Sequence, residues 1–203
     1  MAGTVSSVTS VPLPPRPSGS AGDARRWYEN ELGWPTVPGE PLRLVTGVRF
    51  DVLDVPAEAG RAALTRLGPG SPVAVRGGRM RLLVAAGSAE ELPGLLRWLE
   101  WGALALDVVA LGAGGRMTAP PPPRLRSDEG RELPPGRSRP LQGAAGWLRP
   151  PEPGCEVETS LPTLSAMGGL GGAPDLVRLV DTVAAHCHRI RLRRLCAQPL
   201  ACS

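Results

Sequence analysis

Three short apolar blocks, each joined to charged residues, constrain the fold of this chain more than any other feature of its sequence. The first block, residues 48–55, contains Asp51 and Asp54. The second consists of two apolar runs on either side of a Gly-Gly pair and contains three arginines, and the third, residues 103–111, contains Asp107. Apolar runs of this length bounded by glycine and proline are typical of strands. The sequence therefore predicts a sheet whose strands carry acidic, basic and acidic groups in that order.

Helical patterns separate these blocks and follow them. Residues 57–67 place alanine and leucine at helical spacing, and residues 88–101 open with Ser88 and Glu91, which together form a capping box. A further helix with one apolar stripe is predicted from residue 174 onward. Hairpins and helices in this mixture indicate an α+β domain with a single mixed sheet. The stripe consists of Leu176, Leu179, Val180, Val183, Cys187 and Ile190.

The chain divides into three segments by composition. Residues 1–22 are rich in serine, proline and glycine and bury too little apolar surface to offset their ordering entropy, so we expect a disordered arm. Residues 23–153 form the predicted domain, in which the proline- and arginine-rich residues 120–140 are expected to be an open loop. Residues 154–203 are expected to be a linker and a basic C-terminal helix. A length of 203 residues suits one domain with tails.

The basic residues of the chain are all arginine. There are 23 arginines, no lysine and a formal charge of +4, and the pI is about 9.4. Heavy use of alanine, glycine, proline and arginine is what a GC-rich bacterial genome produces, so we attribute the absence of lysine to mutational bias. The positive balance gives weak support for acidic partners such as nucleic acid, because many proteins of this size carry as much charge.

Cysteine spacing and hydropathy exclude several classes of protein. The four cysteines lie in the last quarter of the chain and no pair has Cys-x-x-Cys spacing, so neither a zinc ribbon nor a redox motif is indicated. No N-terminal signal is recognisable, and the longest apolar stretch is too short to span a bilayer. We therefore expect a cytoplasmic protein with free thiols and no membrane partner.

The spacing of Asp51 and Asp54 does not suit a shared metal ion. Residues at even separations lie on one face of a strand, so two carboxylates that hold one magnesium ion should be two residues apart. These two are three apart and are expected on opposite faces. Asp54 could instead cap the helix that begins near Ala57.

The Gly77-Gly78 pair predicts a hairpin turn, because both residues tolerate positive φ. Arg76, Arg79 and Arg81 flank this turn. Their guanidinium groups could hold a phosphate by charge and by forked hydrogen bonds. Equally, they could form a solvated strand edge whose charge discourages pairing with other chains.

In their order, the three blocks resemble the N-terminal domain of bifunctional DNA primase/polymerases, within the archaeo-eukaryotic primase superfamily, over roughly residues 23–153. Asp54-Val55-Pro56 matches the family's Asp-x-Asp motif, with proline in place of the second acid. Arg79-Met80 stands where the family has a histidine after a glycine-rich turn, and Leu106-Asp107 matches its hydrophobic-Asp motif. Trp147-Leu148-Arg149-Pro150-Pro151 resembles the strand that closes the family's domain.

The resemblance implies a primase/polymerase-like domain with a degenerate catalytic site, which binds nucleic acid or nucleotide through Arg76, Arg79 and Arg81. Both histidines of the chain lie on the C-terminal helix, so neither can replace the missing one. Asp54 and Asp107 would remain from the catalytic acids, able to hold Mg²⁺ or Mn²⁺ weakly at most. We expect these two side chains to lie close together on neighbouring strands, on one face of the sheet, and we expect single-stranded DNA or nucleotide as a partner.

Two alternatives stay open. The chain could be an active nucleotidyltransferase, a primase or polymerase with an atypical metal site. It could also be a module that contacts a protein partner through its proline-rich loop and basic helix, since a fold does not fix a function.

Overall fold

The computed structural model of this chain describes residues 20–123, 145–154, 156–164 and 174–197. The predicted arm falls outside these residues except for residues 20–22, which are helical, and the predicted loop falls outside them from residue 124 onward. In chain order the elements are α1 (Ser20–Arg26), extended by a π-helical turn (Trp27–Glu31), β1 (Thr36–Val37), β2 (Arg43–Val45), β3 (Asp51–Pro56), α2 (Ala57–Ala63), extended by a 3₁₀ turn (Leu64–Arg66), β4 (Val73–Arg76), β5 (Arg79–Val84), α3 (Ser88–Trp98), β6 (Val109–Leu111), β7 (Arg116–Thr118), β8 (Ala145–Arg149), a 3₁₀ turn (Val157–Ser160) and α4 (Leu176–Cys196).

The strands form two antiparallel sheets. The larger sheet has the order β6-β3-β5-β4-β8, and the smaller has the order β1-β2-β7. The α+β class is confirmed, but the expectation of one mixed sheet is wrong. Strand β7 pairs with β2 rather than with its neighbour in sequence, β6, and every pairing between these strands is antiparallel.

One face of the larger sheet is covered by helices. Because side chains alternate along β3 and β5, Leu53, Val55, Met80 and Leu82 share a face, and they pack with residues of α2, α3 and α4 in one apolar cluster. We call this side the helical face. Helix α4 supplies the whole predicted stripe to this cluster, so it is a core element of the same domain as the sheet.

The opposite face of the sheet is apolar at one end and charged at the other. At the apolar end, Val52, Leu83 and Ala74 pack with Trp34 and with the aromatic residues of the π-helical turn in a second cluster. At the other end, Asp54, Arg79 and Arg81 share this face because each is an even number of residues from an apolar member of it. Asp54, Arg79 and Arg81 therefore lie on the face opposite α2, α3 and α4.

Two predicted elements have different bounds in the structure. The predicted hairpin is confirmed, with Gly77 at φ +57° between β4 and β5. The predicted strand over 103–111 is confirmed only from Val109, because the preceding carbonyls bond to side chains of α4 instead of to a ladder. Arg191 donates to the Ala105 carbonyl at 2.8 Å, and the Cys187 thiol contacts the Asp107 carbonyl at 3.8 Å. Within the described ranges, no helix is both long enough and apolar enough to cross a membrane.

Candidate functional site

Strand register places three of the predicted site residues side by side. Asp54 lies directly opposite Arg81 in the β3–β5 pair, and Arg79 lies opposite Pro56, two residues further along β3. Cβ atoms of residues opposite each other in an antiparallel pair are about 4.5–5.5 Å apart. The hairpin that fixes this register therefore brings two guanidinium groups to one carboxylate.

Both carboxylate oxygens of Asp54 are engaged by arginine. Arg79 Nε donates to Oδ1 at 2.6 Å, and Arg81 Nε donates to Oδ2 at 2.9 Å. A further nitrogen of Arg79, Nη2, donates to the backbone carbonyl of Asp54 at 2.7 Å. The side chains of Asp54 and Arg81 are only 14% and 12% exposed, so this pair is poorly accessible to a competing ion.

Arg79 also reaches Asp107, in the segment before β6. Its Nη1 donates to Asp107 Oδ1, so one guanidinium group bridges the two acids. The two acids therefore lie close together as expected, but Asp107 is outside β6, so the expectation of neighbouring strands is wrong. Partial burial acts against the charge of Arg79, but hydrogen bonds to Asp54 and Asp107 outweigh it and raise the pKa of Arg79 above its usual value. The site thus already contains a permanently charged cation.

This arrangement does not fit a resident Mg²⁺ or Mn²⁺ ion. Hard cations of this kind take about six oxygen ligands and need carboxylates whose lone pairs are free. Here Asp54 offers both oxygens to arginines, and the bridging guanidinium of Arg79 lies where an ion shared with Asp107 would have to bind. In the part of the chain that the structure describes, no group of three or more aspartate, glutamate, histidine or cysteine side chains could hold a metal ion.

Met80 and Pro56, the two positions where the sequence departs from the family motifs, lie on different faces. Pro56 is two residues from Asp54 and shares its face, as the second acid of an Asp-x-Asp motif would. Met80 is on the helical face, 1% exposed, beneath Gly60 of α2. A histidine in place of Met80 would therefore enter the core and not reach Asp54.

Asp51 lies on the helical face, as its odd separation from Asp54 predicts. It is fully buried, and its Oδ2 accepts from the backbone N–H of Ala89 at 2.9 Å, so the carboxylate caps α3 from outside the helix. The N-cap residue is Gly87, which has no side chain to cap the helix, so the predicted capping box of Ser88 and Glu91 is wrong. Burial raises the pKa of Asp51, and the backbone N–H groups around it partly offset that effect.

Arg76 takes part in a different contact from Arg79 and Arg81. It lies opposite Arg79 across the hairpin and on the same face, but its Nη1 donates to the Thr118 hydroxyl of β7 at 2.8 Å. Arg76 is exposed, and this bond leaves most of its five N–H donors free for a ligand. The three predicted arginines therefore share a face while only two of them share a carboxylate.

The basic end of α4 lies next to Asp107, which sequence reasoning did not predict. Arg194 Nη1 is 4.0 Å from Asp107 Oδ2, and Arg193 donates to Glu58 of α2 at 2.6 Å. From residue 182 to the end of the chain there are four arginines and no acid, and that run was the only signal in the sequence. Five guanidinium groups and three carboxylates lie in this region, which leaves an excess of two positive charges. The cations are Arg79, Arg81, Arg191, Arg193 and Arg194, and the acids are Asp54, Asp107 and Glu58.

No protein-family model, no curated protein and no solved structure matches this chain. The likeness to primase/polymerase domains thus rests on the order of the three blocks and on their local patterns. Of the residues that carry it, Asp54 and Asp107 come together at one guanidinium group, and Met80 faces away from them.

Proposed function

We propose that this chain is a primase/polymerase-like domain without catalytic activity, which binds nucleic acid or nucleotide through its arginines. The bridge from Arg79 to Asp54 and Asp107 is the observation that carries the proposal. Two-metal phosphoryl transfer needs carboxylates that are free to clamp ions at the attacking and leaving oxygens. In this chain the same carboxylates are neutralised by arginine, so the chemistry is lost while the positive charge remains.

The charge around the site supports binding of an anionic polymer. The end of α4 adds three arginines beside Asp107, and Arg189 on the same helix is exposed. These arginines outnumber the carboxylates that they contact, so this surface presents a net positive charge to phosphate. Phosphate contacts of this kind supply most of the affinity in sequence-independent binding.

A protein-interaction module is the second candidate, and the same end of α4 favours it. Leu192 and Leu195 are 47% and 55% exposed there, between the arginines. An exposed apolar pair within a basic helix end could contact a protein partner through both charge and apolar surface. Binding of nucleic acid requires phosphates on the partner, whereas binding of a protein partner does not.

Binding of a fluorescently labelled oligo-dT, followed by anisotropy over a range of salt concentrations, tests the proposal. We expect an affinity that falls as salt rises, with a slope of about 0.7 per phosphate contact. Replacing both Arg191 and Arg194 by alanine should lower that slope. Arg178→Ala is the matched control, because Arg178 is an exposed arginine about 24 Å from Arg194 along the same helix. Absence of binding, or an equal loss in the Arg178 variant, would contradict the proposal.

A further inference from the structure

The charged face of the sheet continues to an aromatic side chain two strands away. Asp54 lies opposite Arg81, Arg81 opposite Ala74, and Ala74 opposite Trp147 of β8. Residues opposite each other in antiparallel strands share a face, so Trp147 lies on the same side as Asp54 and Arg81. At about 4.8 Å per strand, it is roughly 10 Å from Arg81 across the sheet.

Arg76 is the exposed arginine nearest to Trp147 in this register. It lies opposite Ala145, which is two residues before Trp147 on β8, so Arg76 and Trp147 are diagonal neighbours. Diagonal neighbours have Cα atoms about 7–8 Å apart, within reach of long side chains. The bond from Arg76 to Thr118 also directs the guanidinium toward the chain that leads into Pro121.

Among the residues that the structure describes, Trp147 and three prolines form the walls of a groove. The groove has a volume of about 210 Å³ and is lined by Pro121, Pro123, Pro150 and the half-buried indole. The indole is held in a fixed orientation, since its Nε1 donates to the Tyr28 hydroxyl at 3.0 Å and that hydroxyl donates to the Pro120 carbonyl at 2.6 Å. None of these four wall residues carries a charge.

The size of the groove and its surroundings restrict what could bind there. Drug-sized ligands use pockets of about 300–1,000 Å³, so a volume of about 210 Å³ suits one planar ring and not a larger molecule. Every nucleobase has a flat face that stacks on an aromatic side chain, and a base in single-stranded nucleic acid carries a phosphate a few ångströms away. Arg76, the diagonal neighbour of Trp147, provides the complementary positive charge.

We propose that the Trp147 groove binds one unpaired base of single-stranded nucleic acid, while Arg76 contacts an adjacent phosphate. The proposal rests on the function proposed above and identifies where the base binds. Stacking on Trp147 supplies affinity that does not depend on salt, and Arg76 supplies affinity that does. The site is non-catalytic and selects unpaired bases over duplex, because a paired base must first be unstacked and unpaired before it can enter the groove.

The native protein can be tested with two oligonucleotides that differ only in their bases. Oligo-dT and an abasic strand of the same length carry the same phosphates, so electrostatic binding is the same for both. We expect the native protein to bind oligo-dT about 5- to 100-fold more tightly than the abasic strand, as loss of one stacked base predicts. This comparison needs no substituted protein and is unaffected by folding defects.

Substitutions then assign the preference to Trp147. Trp147→Leu keeps an apolar side chain but cannot stack, so the preference for oligo-dT should disappear and the salt dependence should stay. Trp147→Phe keeps an aromatic ring and should retain most of the preference. Arg76→Gln should lower the salt slope by about 0.7, the value of one phosphate contact. Trp98→Leu is the matched control, because Trp98 is 71% exposed on α3, which packs on the helical face, and it should have no effect.

The possible outcomes separate this proposal from the function on which it rests. Equal binding of both oligonucleotides by the native protein, or an unchanged preference in Trp147→Leu, would overturn the groove proposal and leave the binding function standing. Binding of neither oligonucleotide would overturn both. Binding of a capped, uncharged proline-rich peptide that is lost in Trp147→Leu, without a response to either oligonucleotide, would make the groove a peptide site.

Discussion

At the scale of single residues, Arg79 decides what the acid pair can do. Lysine has one charged nitrogen, whereas a guanidinium group has a planar fork that can bond to two carboxylates and a carbonyl at once. Arg79 uses that fork on Asp54 Oδ1, the Asp54 carbonyl and Asp107. The acids that the sequence suggests for metal binding are therefore held together by an internal cation, and their proximity gives no evidence of catalysis.

Asp51 allows a test of how burial changes the pKa of a single carboxyl group and, through it, the stability of the protein. Its pKa is raised because it is buried, so the folded state binds the proton more tightly than the unfolded state does. Its contribution to stability is therefore largest below its ordinary value of about 3.8 and declines as the pH rises from there through the raised pKa. We expect the free energy of unfolding of the native protein, measured against that of Asp51→Asn, to fall over this range.

Urea unfolding of both proteins between about pH 4 and pH 7 measures this difference. The other titrating groups are common to the two proteins, so their contributions cancel when the two free energies are subtracted. A difference that stays constant or grows with pH would contradict the prediction and would mean that the N–H groups at the start of α3 compensate fully for burial of the charge.

At the scale of elements, the packing of α2 on β5 depends on a glycine. A Cβ atom on Gly60 would lie 2.5 Å from Met80 Sδ and 2.7 Å from Met80 Cβ. The sulfur could move aside, but the Cβ atom is fixed by the strand. The close approach of α2 to the sheet is therefore available only to a residue without a side chain.

Gly60→Ala tests this packing against helix propensity. Alanine is favoured over glycine inside a helix by about 1 kcal/mol, but overpacking a core costs about 1–3 kcal/mol. We expect a net loss of up to about 2 kcal/mol in the free energy of unfolding by urea. Gly94→Ala in α3 is the matched control, because its nearest neighbour would be Arg97 Nη2 at 3.9 Å, and it should stabilise the protein. A stabilising Gly60→Ala would contradict the packing argument.

The elements that could be predicted from sequence are those with a local signal. Gly77 and Gly78 between two apolar runs predict the β4–β5 hairpin, and the spacing from Leu176 to Ile190 predicts the buried side of α4. The sequence does not indicate strand β2, because a strand of three residues is too short to show an alternation of apolar and polar side chains. Antiparallel pairing of β7 with β2 was also missed, since it depends on contacts between residues more than 70 positions apart.

The part of the candidate site that depends on local signals could also be predicted from the sequence. Once the hairpin is known, register alone places Arg79 and Arg81 beside Asp54. The segment at Asp107 could not be predicted, because its carbonyls bond to Cys187 and Arg191 of a helix about 80 residues later. The local sequence therefore determines the hairpin that carries Arg79 and Arg81. Only tertiary contacts bring Asp107 to Arg79.

At the scale of the whole molecule, the larger sheet separates two apolar clusters with different roles. The cluster on the helical face joins the sheet to residues of α2, α3 and α4. The cluster on the other face contains most of the aromatic residues and covers only part of the sheet. Asp54, Arg81 and Trp147 lie on this second face, where arginines adjoin an aromatic groove, an arrangement that fits the proposed binding function.

This architecture predicts no template-dependent nucleotide synthesis by the purified protein with either Mg²⁺ or Mn²⁺. One contact that stabilises a transition-state charge is typically worth about 3–4 kcal/mol. The second acid is Pro56 and the histidine position is Met80, so two such contacts are absent, which corresponds to about four to six powers of ten in rate. Arg79 further occupies the acids that remain.

Primer synthesis and extension are measured with the native protein beside a variant carrying Asp54→Ala and Asp107→Ala, and both should show only background incorporation. Synthesis by the native protein that disappears in the variant would overturn the non-catalytic proposal and would identify the chain as an active nucleotidyltransferase.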